Sequence, residues 1–223
     1  MNKEMDKKEL LDQVKRNNKD FKQVDKVIKA MEKVDRKYFI RKEDLNNAYA
    51  DHPISIGKSQ TISQPTTVAR MLLMLDLKKG ISVLEIGSGS GWNAALLAFS
   101  VAPGKVVSVE RVKELSKSAI SNFFKFAEKE KIKKLKIDFV FADATNKEEF
   151  WKKKFDRIIV TAMVGPVFLE KIKEMAIELL KDNGLLLFPF DNGLELWEKE
   201  KGEIHKLSRE EGYVFVPLVK GEE

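Results

Sequence analysis

The spacing of apolar residues changes several times along this 223-residue chain and divides it into four stretches. From residue 7 to about 33, Leu10, Leu11, Val14, Val24, Val27, Ile28 and Met31 recur every three or four positions, which predicts two short amphipathic helices. Between Tyr38 and Gln64 the periodicity dissolves, and Asp51, His52, Pro53 and Gly57, with Pro65 just beyond, predict an ordered loop over a scaffold. Functional residues concentrate in such loops. From there to residue 190, apolar runs alternate with helical patterns. A helix at 66–75 leads to a buried strand at 81–86, a glycine-rich turn and a helix opening at Trp92. A strand at 105–109, a long amphipathic helix from about 112 to 131 and a strand at 135–141 follow. Residues 157–162 read as a strand, about 167–180 as a helix and 185–190 as a strand.

Strands alternating with helices predict an α/β fold of Rossmann-like type, a mostly parallel sheet covered on both faces. The tail changes character. Residues 194–199, 204–207 and 213–219 read as short strands without helices between them, and should add an antiparallel edge. All of 1–223 fits one domain: N-terminal helices and loop (1–65), an α/β core (66–190) and edge strands (191–223).

Composition narrows the class. There is no cysteine, so neither a disulfide framework nor a thiolate metal or redox site is possible. The N-terminus has no apolar stretch of the secretory kind, and the longest apolar runs are far too short to span a bilayer. These features predict a cytoplasmic protein without a membrane partner. The net charge of +6 is spread over the chain, with no compact basic run interleaved with aromatics, so nucleic acid is permitted but not favoured as a partner. His52 and His205 stand at neither metal nor triad spacing, and no metal is expected. Oligomeric state is not legible here, and a monomer is the default.

The candidate chemistry begins at Val83-Leu84-Glu85-Ile86-Gly87-Ser88-Gly89-Ser90-Gly91, a buried strand running into three alternating glycines and a helix. Gly87, Ser88, Gly89 and Gly91 would let the backbone turn sharply and expose its N–H groups to a ligand. Glu110, nineteen positions after Gly91, ends the next strand, where a carboxylate accepts the hydroxyls of a ribose. The Gly-x-Gly-x-Gly spacing does not suit a pyrophosphate, and Glu85 would repel phosphate while attracting an ammonium. Asp143, followed by Ala144, closes the third strand of this half, where an acid accepts from an adenine amino group; alone it would read as a turn residue. Adenosine at one end and an amino acid at the other describe S-adenosylmethionine.

With the loop ahead of them, these residues resemble the protein-L-isoaspartate O-methyltransferase family over most of the chain. The segment Ala48-Tyr49-Ala50-Asp51-His52-Pro53-Ile54-Ser55-Ile56-Gly57, running into Gln60-Thr61-Ile62-Ser63-Gln64-Pro65, is similar to the family's signature loop. Phe155 to Ala162 and Val214 to Leu218 also resemble family segments. The resemblance implies methyl transfer to the free α-carboxylate of isoaspartyl residues in damaged proteins and peptides, with Ser63 orienting that carboxylate. It also implies that Thr61 and Val216 contact the substrate. From sequence position alone, Ser63 is equally a helix N-cap. The chain departs from the family at Ala142 and Ala144, which flank Asp143 where glycines are usual. It departs again at Ser59 for glycine, Trp92 for tyrosine, and Met163-Val164-Gly165 for Ala-Ala-Pro. A methyltransferase of the same fold acting on RNA or a small molecule is the alternative.

Overall fold

The computed structural model describes residues 6–146 and 149–223. Its first helices, α1 (Lys7–Asn17) and α2 (Val24–Lys33), bury Leu10, Val14, Val27 and Met31, on the faces that the apolar spacing marks out. A capping box starts α1: the Asp6 carboxylate accepts the Glu9 N–H, and Glu9 accepts the Asp6 N–H in return.

Two 3-10 turns (Arg36–Phe39 and Lys42–Asn47) and an antiparallel hairpin of β1 (Ile54–Gly57) and β2 (Gln60–Ile62) occupy the stretch expected to be a loop. Strands of 4 and 3 residues carry too few positions to display a period of two. Ser59, where relatives carry glycine, sits in the hairpin turn at φ 55, a left-handed conformation that glycine adopts without steric cost.

α3 (Pro65–Met74) begins on proline, whose missing N–H is an amide the helix leaves open anyway. Ser63 does not cap it. Gln64 holds the N-cap position without a side-chain bond, and Asp51 accepts the Thr66 N–H at 2.9 Å and the Thr66 hydroxyl at 2.7 Å. The cap therefore comes from a residue fifteen positions away, and the Ser63 hydroxyl is not spent on it.

The remaining elements are β3 (Ser82–Ile86), α4 (Trp92–Val101), β4 (Lys105–Glu110), α5 (Lys113–Lys129), β5 (Ile137–Phe141), β6 (Phe155–Val160), α6 (Pro166–Leu179), β7 (Leu180–Phe190), β8 (Gly193–Glu200) and β9 (Glu203–Glu211). They form a seven-stranded sheet in the order β5-β4-β3-β6-β7-β8-β9. Pairs from β5 through β7 are parallel, and β8 and β9 add the expected antiparallel edge. Strand β7 starts five residues earlier than the apolar run suggests, straight out of α6, because its opening Lys181-Asp182-Asn183-Gly184 is polar and carries no strand signature.

Central strands β3 and β6 are buried on both faces, as parallel strands between helical layers must be. Val83 and Ile159 face a cluster built with α1 to α5, while Leu84, Ile158 and Val160 face one built with Ile172, Met175 and Leu179 of α6.

Residues 213–219 correct one expectation. They form no strand of the sheet; their ladder pairing is one isolated parallel bridge, Met163 to Pro217, in which the Met163 N–H donates to Val216 O and the Leu218 N–H to Met163 O. Pro217 has no N–H to extend a ladder. The tail instead crosses the carboxyl edge of the sheet, where the turns after β3, β4, β5 and β6 converge.

Replacing the distant cap tests this arrangement. Asp51→Ala should lower unfolding free energy by about 1–2 kcal/mol, read as a lower urea midpoint at unchanged slope. An unmoved midpoint would show that α3 does not depend on the Asp51 carboxylate.

Candidate active site

A cleft enclosing about 1030 Å³, open mouth included, lies at this carboxyl edge. Thr61 and Ser63 line it from the hairpin side, Gly87, Ser88 and Gly89 from below, Glu110, Asp143 and Ala144 from the strand ends, and Val216 from the tail. Residues from the beginning, middle and end of the chain therefore meet in one place.

The turn after β3 has that shape because two of its glycines admit nothing larger. A Cβ on Gly87, at φ 100, would lie 2.3 Å from the Thr161 hydroxyl oxygen, and that hydroxyl donates to Gly87 O at 2.8 Å. A Cβ on Gly91, at φ 86, would lie 2.9 Å from the backbone oxygen of Ala119 in α5.

Four of the turn's N–H groups, however, are bonded within the protein. Gly87 and Ser88 both donate to Val109 O, at 2.8 and 3.1 Å, Gly89 donates to Glu110 Oε2 at 2.9 Å, and Gly91 donates to Ser88 O at 2.8 Å. Sharp turning next to β4 satisfies these amides internally, which overturns the expectation of a row of free donors. A pyrophosphate would find few partners here.

Two carboxylates, Glu110 and Asp143, face the cleft among mainly apolar residues. Glu110 is 7% exposed; its Oε2 holds the Gly89 N–H and its Oε1 the Val112 N–H at 3.0 Å, and each oxygen keeps a further lone pair. Asp143 accepts from the Thr145 N–H and hydroxyl on one oxygen and from the Gly221 N–H at 2.7 Å on the other. Burial pushes the Asp143 carboxyl up, but these hydrogen bonds outweigh it and leave it below the ordinary carboxylate range. The turn-residue reading of Asp143 and its place in the cleft are thus both true.

Glu85 differs from its expected placement. It is fully buried beneath the turn and is not on the cleft wall; its carboxyl accepts from Asn93 Nδ2 at 2.7 Å and from the Ser108 hydroxyl, which is in turn linked to the Ser88 hydroxyl at 2.6 Å. Burial pushes this carboxyl up to about 8, against the pull of the Ser108 and Asn93 hydrogen bonds, with the Glu110 charge adding to the rise. Asn93, which does line the cleft, is the route by which Glu85 is felt there.

Asn93 and Thr161 were not singled out from sequence. Asn93 sits two residues past the last glycine, and Thr161 directly follows β6 inside a segment already notable for its resemblance, so position was the available signal.

A largely apolar cleft with two carboxylates at its strand ends suits a ligand that offers hydrogen-bond donors to those acids. An adenosine joined to a sulfonium amino acid has that character. Fold and site together define the chain as an S-adenosylmethionine-dependent methyltransferase. The profile of one methyltransferase family, described as protein-L-isoaspartate(D-aspartate) O-methyltransferase, matches residues 5–223. Protein-L-isoaspartate O-methyltransferases from Thermosipho melanesiensis and Methanopyrus kandleri are 38% and 40% identical, over 86% and 89% of this chain and 93% and 84% of theirs. A Plasmodium falciparum structure described as a protein-L-isoaspartate O-methyltransferase in complex with S-adenosyl-L-homocysteine superposes with a TM-score of 0.78. It is 29% identical and covers 97% of this chain and 100% of that one. The chain belongs to the protein-L-isoaspartate O-methyltransferase family.

Two measurements test this site. Glu110→Ala should weaken S-adenosylmethionine binding by at least about 10-fold in calorimetry, the loss of charge-assisted hydrogen bonds of about 1.5–3 kcal/mol; unchanged affinity would exclude a ribose contact. Glu85 is pushed to about 8 in the folded protein against 4.5 ordinarily, so the protonated form favours the fold. Its contribution is complete below 4.5 and is lost as pH rises through about 8. Glu85→Gln keeps the neutral hydrogen-bonding pattern at every pH and should gain on the order of 2–5 kcal/mol over the parent at about pH 9 relative to about pH 5. Parallel stability curves for the two proteins would refute it.

Proposed function

We propose that the chain transfers the methyl group of S-adenosylmethionine to the free α-carboxylate of L-isoaspartyl residues in damaged proteins and peptides. One observation carries this: the 48–65 loop and the 214–218 tail, which lie outside the cofactor half, both resemble the family and contribute Thr61, Ser63 and Val216 to the cofactor's own cleft.

The cofactor supplies an electrophilic methyl group. The acceptor carboxylate has an ordinary pKa of about 3.3–3.7, so it is ionised at neutral pH and needs no base. The chain's task is then to align an oxygen with the methyl at about 3–3.5 Å and keep water out. We assign Glu110 and Asp143 to the nucleoside end, the Gly87, Ser88 and Gly89 turn with Ala144 to close packing against the cofactor, and Glu85, acting through Asn93, to its amino-acid end; Gly91, which is not on the cleft wall, serves by seating the turn against α5. Ser63, whose hydroxyl does not cap α3, orients the acceptor. Thr61 and Val216 contact the peptide; the Val216 carbonyl is held by the Met163 N–H at 2.8 Å, which pins this part of the tail.

Discrimination follows from geometry. An isoaspartyl linkage lengthens the backbone by a methylene and leaves the α-carboxylate on a short branch, whereas a normal aspartyl carboxylate sits displaced. A displacement of about 1 Å costs on the order of 100-fold in rate. We place the reaction in the cytoplasm and treat the whole of 1–223 as one unit; among the described residues no helix is long and apolar enough to cross a membrane.

An isoaspartyl peptide, its aspartyl twin and bulk tRNA, competing for a radiolabelled methyl donor, test the assignment. Label should enter the isoaspartyl peptide at least about 100-fold faster than its twin; label in tRNA alone, or equal labelling of the two peptides, would sink it. Ser63→Ala should lower kcat about 10-fold or more while leaving cofactor affinity nearly unchanged, since an orienting contact is felt mainly in the transition state. Full kcat in that variant removes Ser63 from the mechanism.

A further inference from the structure

We propose that Arg36 is a positioning residue for methyl transfer: its guanidinium fixes the backbone that carries Ser63 against the indole of Trp92, and so sets where the acceptor sits relative to the cofactor. The proposal rests on the reading that Ser63 orients the acceptor carboxylate.

Arg36 lies in the first 3-10 turn, outside the glycine turn and the signature loop, and is 2% exposed. One nitrogen, Nη1, donates to Ala48 O at 3.1 Å and Ala50 O at 3.0 Å; the other, Nη2, donates to His52 O at 3.0 Å and Ser63 O at 3.2 Å. Four carbonyls from two separated backbone segments thus converge on one planar cation. Its carbon lies 5.5 Å from the centroid of the Trp92 ring, and Trp92 both lines the cleft and donates through Nε1 to Val34 O at 3.0 Å. A short path of contacts therefore joins the first residue of α4, beside the glycine turn, to the residue assigned to the acceptor.

The chemistry argues for geometry over mere adhesion. Among the described residues no carboxylate forms an ion pair with Arg36, and its Nε has no hydrogen-bond partner. Burial lowers its pKa to about 10, with the more distant Asp51 charge opposing the fall. Burying a cation on these terms is costly, and apolar packing would close the same gap at lower cost. What a guanidinium adds is a rigid fork of donors at fixed angles; a lysine ammonium carries the charge without the plane.

Arg36→Lys and Arg36→Gln, Ser63→Ala, and the double variant Arg36→Lys with Ser63→Ala decide the matter. Cofactor affinity by calorimetry, hydrogen exchange of residues 48–66 and kcat with an isoaspartyl peptide are read on each. For Arg36→Lys we expect affinity within about 3-fold of the parent, faster exchange confined to residues 48–66, and kcat lower by roughly 100-fold, the cost of a misplacement of about 1 Å. In the double variant Ser63→Ala should add less than about 3-fold, because both changes disturb one alignment. Fully multiplicative losses, an unchanged kcat in Arg36→Lys, or loss of cofactor binding in both Arg36 variants would overturn the proposal; the last would make Arg36 a residue of the fold alone. Full kcat in Ser63→Ala sinks the role of Ser63 itself. In that case Arg36→Lys still reports separately, through its affinity, exchange and kcat, whether Arg36 positions the loop.

Discussion

The cleft depends on the Glu110 carboxylate, which accepts an N–H from each side of a gap between two strand ends. By holding Gly89 it fixes the turn after β3, and by holding Val112 it fixes the entry to α5. Without it the glycine turn would have to find another partner for an amide that the sheet cannot reach. Because both bonds use backbone donors, the side chain is held on the cleft wall before any ligand arrives. A preorganised acceptor loses little entropy on binding. The glycines serve the same arrangement: Gly91 lets α4 approach α5 within contact of Ala119, and Gly87 makes room for the Thr161 hydroxyl that closes the turn from the β6 side.

Two buried ionisable groups flank this frame and are accommodated in opposite ways. Glu85 sits where solvent is absent and a second carboxylate is near, so its neutral form is favoured and its hydrogen bonds run through Ser108 to Ser88. Arg36 remains a cation and is surrounded by carbonyl dipoles and an aromatic face. An acid can escape the desolvation penalty by taking up a proton, whereas arginine's very high intrinsic pKa denies it the matching escape. The environment of Arg36 therefore has to supply acceptors, and it draws them from the backbone of the 48–63 segment.

Long elements and the position of the glycine turn were legible in the sequence, since periodicity over ten or more residues and a strand-turn-helix glycine pattern are strong local signals. The alternation of buried strands and amphipathic helices gave the parallel sheet, and Glu110 and Asp143 stand at strand ends as their spacing requires. The illegible parts share one cause: they are set by contacts between distant segments. Asp51 capping α3 in place of Ser63, Glu85 lying beneath the turn instead of on the cleft wall, and the turn amides saturated by Val109 and Glu110 all arise from tertiary neighbours. Residues 213–219 looked like a strand because Tyr213, Val214, Phe215 and Val216 favour extended backbone, yet Pro217 and the sheet edge at Met163 allow only a bridge.

A nucleophile already ionised in water asks its enzyme for alignment more than for acid–base chemistry, and this clarifies where the polar contacts fall. Irregular backbone cannot satisfy its own donors and acceptors, so each irregular segment around the cleft has to be pinned from outside. The 48–63 segment is pinned by Arg36, by Asp51 and by the Tyr49 hydroxyl, which donates to Asp35 at 3.1 Å. The tail is pinned by Met163, by Gly221 donating to Asp143, and by Glu223, whose N–H donates to Arg111 O and whose carbonyl accepts the Lys113 N–H. Several of these anchors stand beside the same strand ends that line the cleft, Asp143 being the plainest case. The loop, the tail and the strand ends that line the cleft are therefore referenced to one rigid sheet edge, the arrangement that in-line transfer over about 3 Å requires.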